Sequence, residues 1–113
     1  KEYYLNGQTR LSIDIKEGIK DGEMYLYFEN GDINEIRSYK NNKMHGKWVT
    51  YSSNNVKIAE AVYNNGKKDG SWMIWDDNGI LRCEMFYNNG QKTGIWKIYD
   101  DKGNLIDTKD YTK

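Results

Sequence analysis

Short runs along the chain alternate side to side: Leu81, Cys83, Met85 and Tyr87 alternate with Arg82, Glu84 and Phe86, and Leu11, Ile13 and Ile15 keep the same step near the start. A period of two belongs to an extended strand and not to a helix. Trp72 to Trp75 and Leu81 to Tyr87 are short, rich in aromatic and branched residues, and lie in a chain without proline. They predict two strands separated by turns. No segment has helical spacing, and no linker divides the chain.

The pattern repeats every 24 residues. Gly22, Gly46, Gly70 and Gly94 anchor it. Two positions after each comes Met24, Trp48, Trp72 or Trp96, and five after comes Tyr27, Tyr51, Trp75 or Tyr99. Gly31, Asn55, Gly79 and Gly103 follow at the ninth position, and Tyr39, Tyr63, Tyr87 and Tyr111 at the seventeenth. Tyr3, Gly7, Ile15 and Gly18 mark an earlier, more degenerate copy. The boundaries expected from this frame are a partial repeat over 1–21 and repeats over 22–45, 46–69, 70–93 and 94–113, all within one domain spanning 1–113.

Glycine and asparagine tolerate the positive φ of tight turns. The columns therefore predict a hairpin per unit, with one turn near Asp77-Asn78-Gly79 and a connecting turn from Asn65-Gly66 through Gly70. A lone hairpin is marginal in water, so each must lean on the next. The expectation is an all-β fold: an extended meander of antiparallel hairpins in one elongated, twisted sheet.

Composition sharpens this picture. Aromatics reach 14%, including ten Tyr and four Trp, which suits half-exposed sheet faces better than a dry interior. Lysine and arginine total 17 against 17 acidic residues, so no net field draws the chain to nucleic acid or to an anionic membrane. Cys83 is alone, which excludes an internal disulfide and a multi-cysteine zinc site. No apolar run approaches the length of a membrane helix, and the compartment stays open.

With the columns laid out, Gly46-Lys47-Trp48 to Tyr51, Asn65-Gly66-Lys67-Lys68-Asp69-Gly70 and Gly94-Ile95-Trp96 to Tyr99 resemble MORN repeats, in the variant called MORN-2. The resemblance covers nearly the full chain. It implies stacked hairpins in a long sheet and roles in protein association, scaffolding and, in some members, lipid contact, with no catalytic residues and no cofactor. Bacterial chains of this variant are often labelled antitoxins, which implies similarity to a neutralising partner of a toxin.

Two aromatic ladders are the candidate binding residues: Trp48, Trp72 and Trp96 in one, Tyr27, Tyr51, Trp75 and Tyr99 in the other. Positions two and five after a glycine point to opposite faces of a strand unless a bulge intervenes. The same ladders serve packing between repeats; in the functional reading they offer rings to a protein partner. The alternative is choline or glycan binding at a cell surface, through cation–π cages. Repeats of that kind carry adjacent aromatics, whereas Trp and Tyr here stand three apart.

The turns divide by charge. Glu29, Asp32, Asp76, Asp77, Asp100 and Asp101 with Lys102 make one long edge acidic; Lys16, Lys20, Lys40, Lys43, Lys67, Lys68 and Lys92 against Glu17, Asp21 and Asp69 make the other basic. Asp76-Asp77-Asn78-Gly79 lacks the alternating ligands of a calcium loop. With His45 the only histidine, the least implausible catalytic pair is Asp77 with Asp101 across neighbouring turns. An open sheet also leaves edge strands, whose unpaired backbone groups offer a route to an end-to-end homodimer.

Overall fold

A computed structural model describes residues 2–16 and 18–112; Glu17 and the side chains of Ile13, Ile15 and Lys16, named above, lie outside the described residues. The strands are β1 (Glu2–Tyr3), β2 (Thr9–Lys16), β3 (Ile19–Tyr27), β4 (Ile33–Lys40), β5 (Lys43–Tyr51), β6 (Lys57–Asn64), β7 (Lys67–Lys68), β8 (Gly70–Trp75), β9 (Leu81–Asn88), β10 (Gln91–Tyr99) and β11 (Leu105–Asp110). They form one antiparallel sheet in chain order, with the short β7 pairing β6 just ahead of β8. The principal extents are 45 × 31 × 14 Å. All the strands belong to this one sheet, and a thickness of 14 Å fits a single twisted layer.

The expected all-β meander is therefore the fold, and its single layer explains the aromatic composition. Among the described residues Met24 is the one buried hydrophobic side chain, at 6% exposure. Everything else that packs does so half-exposed, as large amphipathic rings do well.

Two turn types alternate. At one edge, Asn65 and Gly66 take φ of 50° and 85°, a two-residue hairpin turn whose twist matches that of the strands. Asn41-Asn42 and Asn89-Gly90 repeat it. At the other edge Asp76 closes its turn: its N–H donates to Ile80 O at 2.9 Å, and its carboxylate accepts the N–H groups of Asn78 and Ile80. Asp100 and Ser52 play the same part in their own repeats.

The connecting turn is shorter than the spacing predicts. It ends after Gly66, and Gly70 lies inside the strand system as the centre of a β-bulge. On β5, three residues lie between Met44 and Trp48, while on β4 only Ser38 lies between their partners Tyr39 and Arg37. Gly70 adopts φ of 89°, and a Cβ there would stand 3.4 Å from Val62 Cβ. Two constraints, a left-handed backbone and close approach of the facing strand, thus hold the anchor column to glycine.

A second bulge corrects the alternation read near Leu81. Trp75 pairs with Leu81 but Ile74 pairs with Cys83, so Arg82 is an extra residue. The alternation holds from Cys83 onward, and Leu81 shares its face with Trp75 instead.

Candidate functional site

The anchor bulge accounts for the tryptophan two positions after Gly70 and after Gly94. The bulge leaves a carbonyl of the preceding strand free to accept an additional donor. Trp72 Nε1 donates to Val62 O at 3.2 Å, and Trp96 Nε1 to Phe86 O at 3.1 Å. In the second repeat Trp48 Nε1 donates to the Glu35 carboxylate at 2.7 Å. Each indole is pinned by its polar handle.

These indoles do not stack on one another. A tyrosine from the intervening strand stands between them, so the rings run Trp48, Tyr63, Trp72, Tyr87, Trp96, Tyr111 with centroid separations of 5.6, 5.4, 5.4, 5.3 and 4.8 Å. The ladder is one continuous zigzag across the sheet. Its separations and tilts fall in the favourable range for aromatic pairs, each worth about 0.5–1.5 kcal/mol beyond area burial. Burial here raises the Tyr63 phenol above its ordinary pKa, against a smaller opposing pull from Arg37.

Cations cap the rings. Lys68 Nζ stands 4.5 Å from the Trp72 ring centroid and 4.9 Å from that of Tyr87, and Lys92 Nζ lies 5.2 and 5.3 Å from Trp96 and Tyr111. Lys20 lies over Tyr39 and the Arg37 guanidinium over Trp48. For Arg37, burial opposes the charge, but hydrogen bonds to Tyr39 and Glu35 outweigh it and raise the pKa. Three lysines assigned to the basic edge are thus on the ladder face, because the bulge adds two residues and so keeps Lys68 and Trp72 on one side.

The second predicted ladder lies on the opposite face and is not a ladder. Tyr27 stacks at 6.4 Å on Tyr25 of its own strand, and Trp75 carries Lys57 Nζ at 4.7 Å. Among the described residues, Tyr27, Tyr51, Trp75 and Tyr99 make no ring contact with one another. Around them run ion pairs: Glu60 binds Lys57 at 3.0 Å and Lys47 at 3.2 Å.

An open groove of about 260 Å³ interrupts the ladder face at the second repeat. Ala59 and Ala61 floor it, Trp48 and Trp72 form its walls, Tyr63 closes one end, and Thr50 and Ile74 lie at the other. Cross-strand pairing places Ala61 opposite Trp48 and Ala59 opposite Ile74. At the matching positions the other repeats carry Glu35 and Arg37, Cys83 and Met85, and Asp107 and Lys109. The groove exists where two methyl groups replace long side chains.

The edges offer little chemistry. Asp77 accepts from Asn54 Nδ2 at 3.0 Å. Hydrogen bonds from Asn104 and Lys102 hold the Asp100 carboxyl below the usual range, the behaviour of a turn cap. His45 Nδ1 accepts the Asn65 N–H at 3.2 Å, where Asp69 serves Asn89 in the next repeat. Among the described residues no cluster of His, Cys, Asp or Glu is arranged to hold a metal, and no helix is long and apolar enough to cross a membrane.

Sequence reasoning found the Tyr63, Tyr87 and Tyr111 column but not its union with the tryptophans, and it missed Lys68, Lys92, Ala59 and Ala61 as parts of one face. Pairing of Gly46 with Tyr63 would have located them all. That register follows once the glycine is placed in the strand and not in the turn.

The model of the MORN repeat variant matches residues 20–41, 44–65, 68–89 and 92–113. A comparison with curated proteins finds no match. Each matched segment opens on the residue two before an anchor glycine, the position of Lys20, Met44, Lys68 and Lys92, and repeats the 24-residue step, with an indole after the anchor in the last three and Met24 in the first. With four tandem copies covering most of its length, the chain belongs to the MORN repeat variant family.

Proposed function

We propose that the chain is a non-catalytic protein-interaction module that docks a partner on its ladder face. Repeats of this family commonly serve protein or membrane interaction and are generally not catalytic. The observation that carries the reading is the continuous, half-exposed stack from Trp48 to Tyr111 with cations set over its rings. Large rigid rings and a guanidinium are the groups that dominate protein interfaces. An antitoxin-type role is the special case in which the docked partner is a toxin. The choline or glycan reading draws no comparable support, since the ring faces that a quaternary ammonium would need carry the chain's own Lys68 and Lys92.

The test compares the two faces. Proteins captured from the native organism are identified, purified and titrated against wild type, a Trp48→Ala/Trp72→Ala variant and a Tyr51→Ala/Tyr99→Ala variant, each checked for strand content by circular dichroism. The reading expects a partner whose affinity falls at least about tenfold, 1.4 kcal/mol, with the ladder variant alone. Equal binding by all three would refute it.

A further inference from the structure

We infer that the groove over Ala59 and Ala61 is an anchor pocket for an acidic polypeptide segment, taking one bulky apolar side chain while flanking carboxylates meet the cations beside the ladder. The inference rests on the docking reading and gives it a place and a partner chemistry.

The groove is apolar by construction. The indole N–H groups of its two walls are already used, Trp48 by Glu35 and Trp72 by Val62 O. What remains facing the space is ring and methyl surface, with Ile74 at the open end 42% exposed. Such a slot holds a hydrocarbon or an aromatic ring and has little to offer a sugar or a phosphate. At the equivalent position between Trp72 and Trp96 stand the larger Met85 and Cys83.

Charge decides what surrounds the anchor. Lys20, Arg37, Lys68 and Lys92 lie over rings of the ladder face, and Lys109 pairs opposite Trp96. Against them the face sets Glu35, already bound by Arg37 and Trp48, Asp107, and at the far edge Glu2, already bound by Arg10. The excess is positive in a chain whose total charge is zero, so complementarity favours a carboxylate-bearing partner. A lipid surface fits less well, since these cations fold down over rings and the groove is a recess, whereas a bilayer engages projecting side chains.

The experiment uses a fluorescein-labelled nonapeptide with one central leucine among alternating glutamates and serines, followed by anisotropy at low salt. Two controls replace the glutamates by lysine or the leucine by serine. Ala61→Met installs the side chain that Met85 supplies in the next repeat, so it closes the groove with a residue this fold already holds there; Met85→Ala opens a second groove. The expected result is binding to wild type, at least about tenfold weaker for either control peptide and for Ala61→Met, with a rise in bound peptide for Met85→Ala. No binding to wild type, or undiminished binding to a folded Ala61→Met, overturns the inference. So does capture of the chain by phosphatidylserine vesicles under conditions where the peptide does not bind. A protein partner lost with Trp48→Ala/Trp72→Ala but retained by Ala61→Met would overturn the groove alone and leave the docking reading standing.

Discussion

The two faces of the sheet draw aromatic residues from the same repeat, yet only one connects them. On the ladder face, tryptophans of β5, β8 and β10 alternate with tyrosines of β6 and β9 and with Tyr111 just past β11, so neighbouring rings meet at 4.8–5.6 Å. On the other face Tyr27, Tyr51, Trp75 and Tyr99 recur on every second strand, about 9.6 Å apart at the usual strand spacing, too far for contact with one another. Lysines and Glu60 fill the intervals. Ring-to-ring cohesion between repeats is therefore carried by the ladder face, while on the other face Trp75 meets the preceding repeat through Lys57.

The sharpest way to break this contrast is to remove one ring from each face. Trp72→Ala deletes contacts to Tyr63 and Tyr87 and the bond to Val62 O; it should cost about 2–3 kcal/mol in urea unfolding, somewhat below the range for a fully buried Trp. Trp75→Ala should cost less than about 1 kcal/mol. Next in size is Gly70→Ala, which forces φ of 89° on a residue with a Cβ and presses it toward Val62; a loss of about 1–2 kcal/mol is expected by the same assay.

The charged face has its own signature in pH. Hydrogen bonding from Lys57, aided by Lys47 and opposed by burial, lowers the Glu60 pKa. A lowered folded-state pKa means that this contribution is fully present above the unfolded value of about 4.3 and is lost as pH falls through the folded value. Glu60→Gln should flatten stability in that acid window and change the ladder's fluorescence little. The smallest effect belongs to Lys68→Met, which copies the residue of the preceding repeat; it should cost about 0.5 kcal/mol, since exposed cation–π contacts are weak.

Much of this was legible in the sequence. The period, the all-β meander and the turn at Asp76 to Gly79 follow from Gly, Asn and aromatic columns whose roles are local. The placement of Gly70 was not, because positive φ serves a bulge as well as a turn, and spacing alone does not separate them. From that one ambiguity followed the misplacement of Lys20, Lys68 and Lys92 on the edge and the separation of Trp72 from Tyr63 and Tyr87. Arg82 likewise looks like an ordinary alternating residue until pairing shows it to be extra. The groove was hidden for a different reason: Ala59 and Ala61 are inconspicuous alone and acquire meaning only between two indoles.

The most direct test of the account is a pair of double-mutant cycles in urea, one on Tyr63 and Trp72 across the ladder, the other on Tyr51 and Trp75 across the opposite face. The account predicts a coupling of at least about 0.5 kcal/mol for the first pair, whose rings stand 5.4 Å apart. For the second it predicts additivity within measurement error. Comparable coupling on both faces, or none on the ladder, would contradict the claim that rings join the repeats on one face.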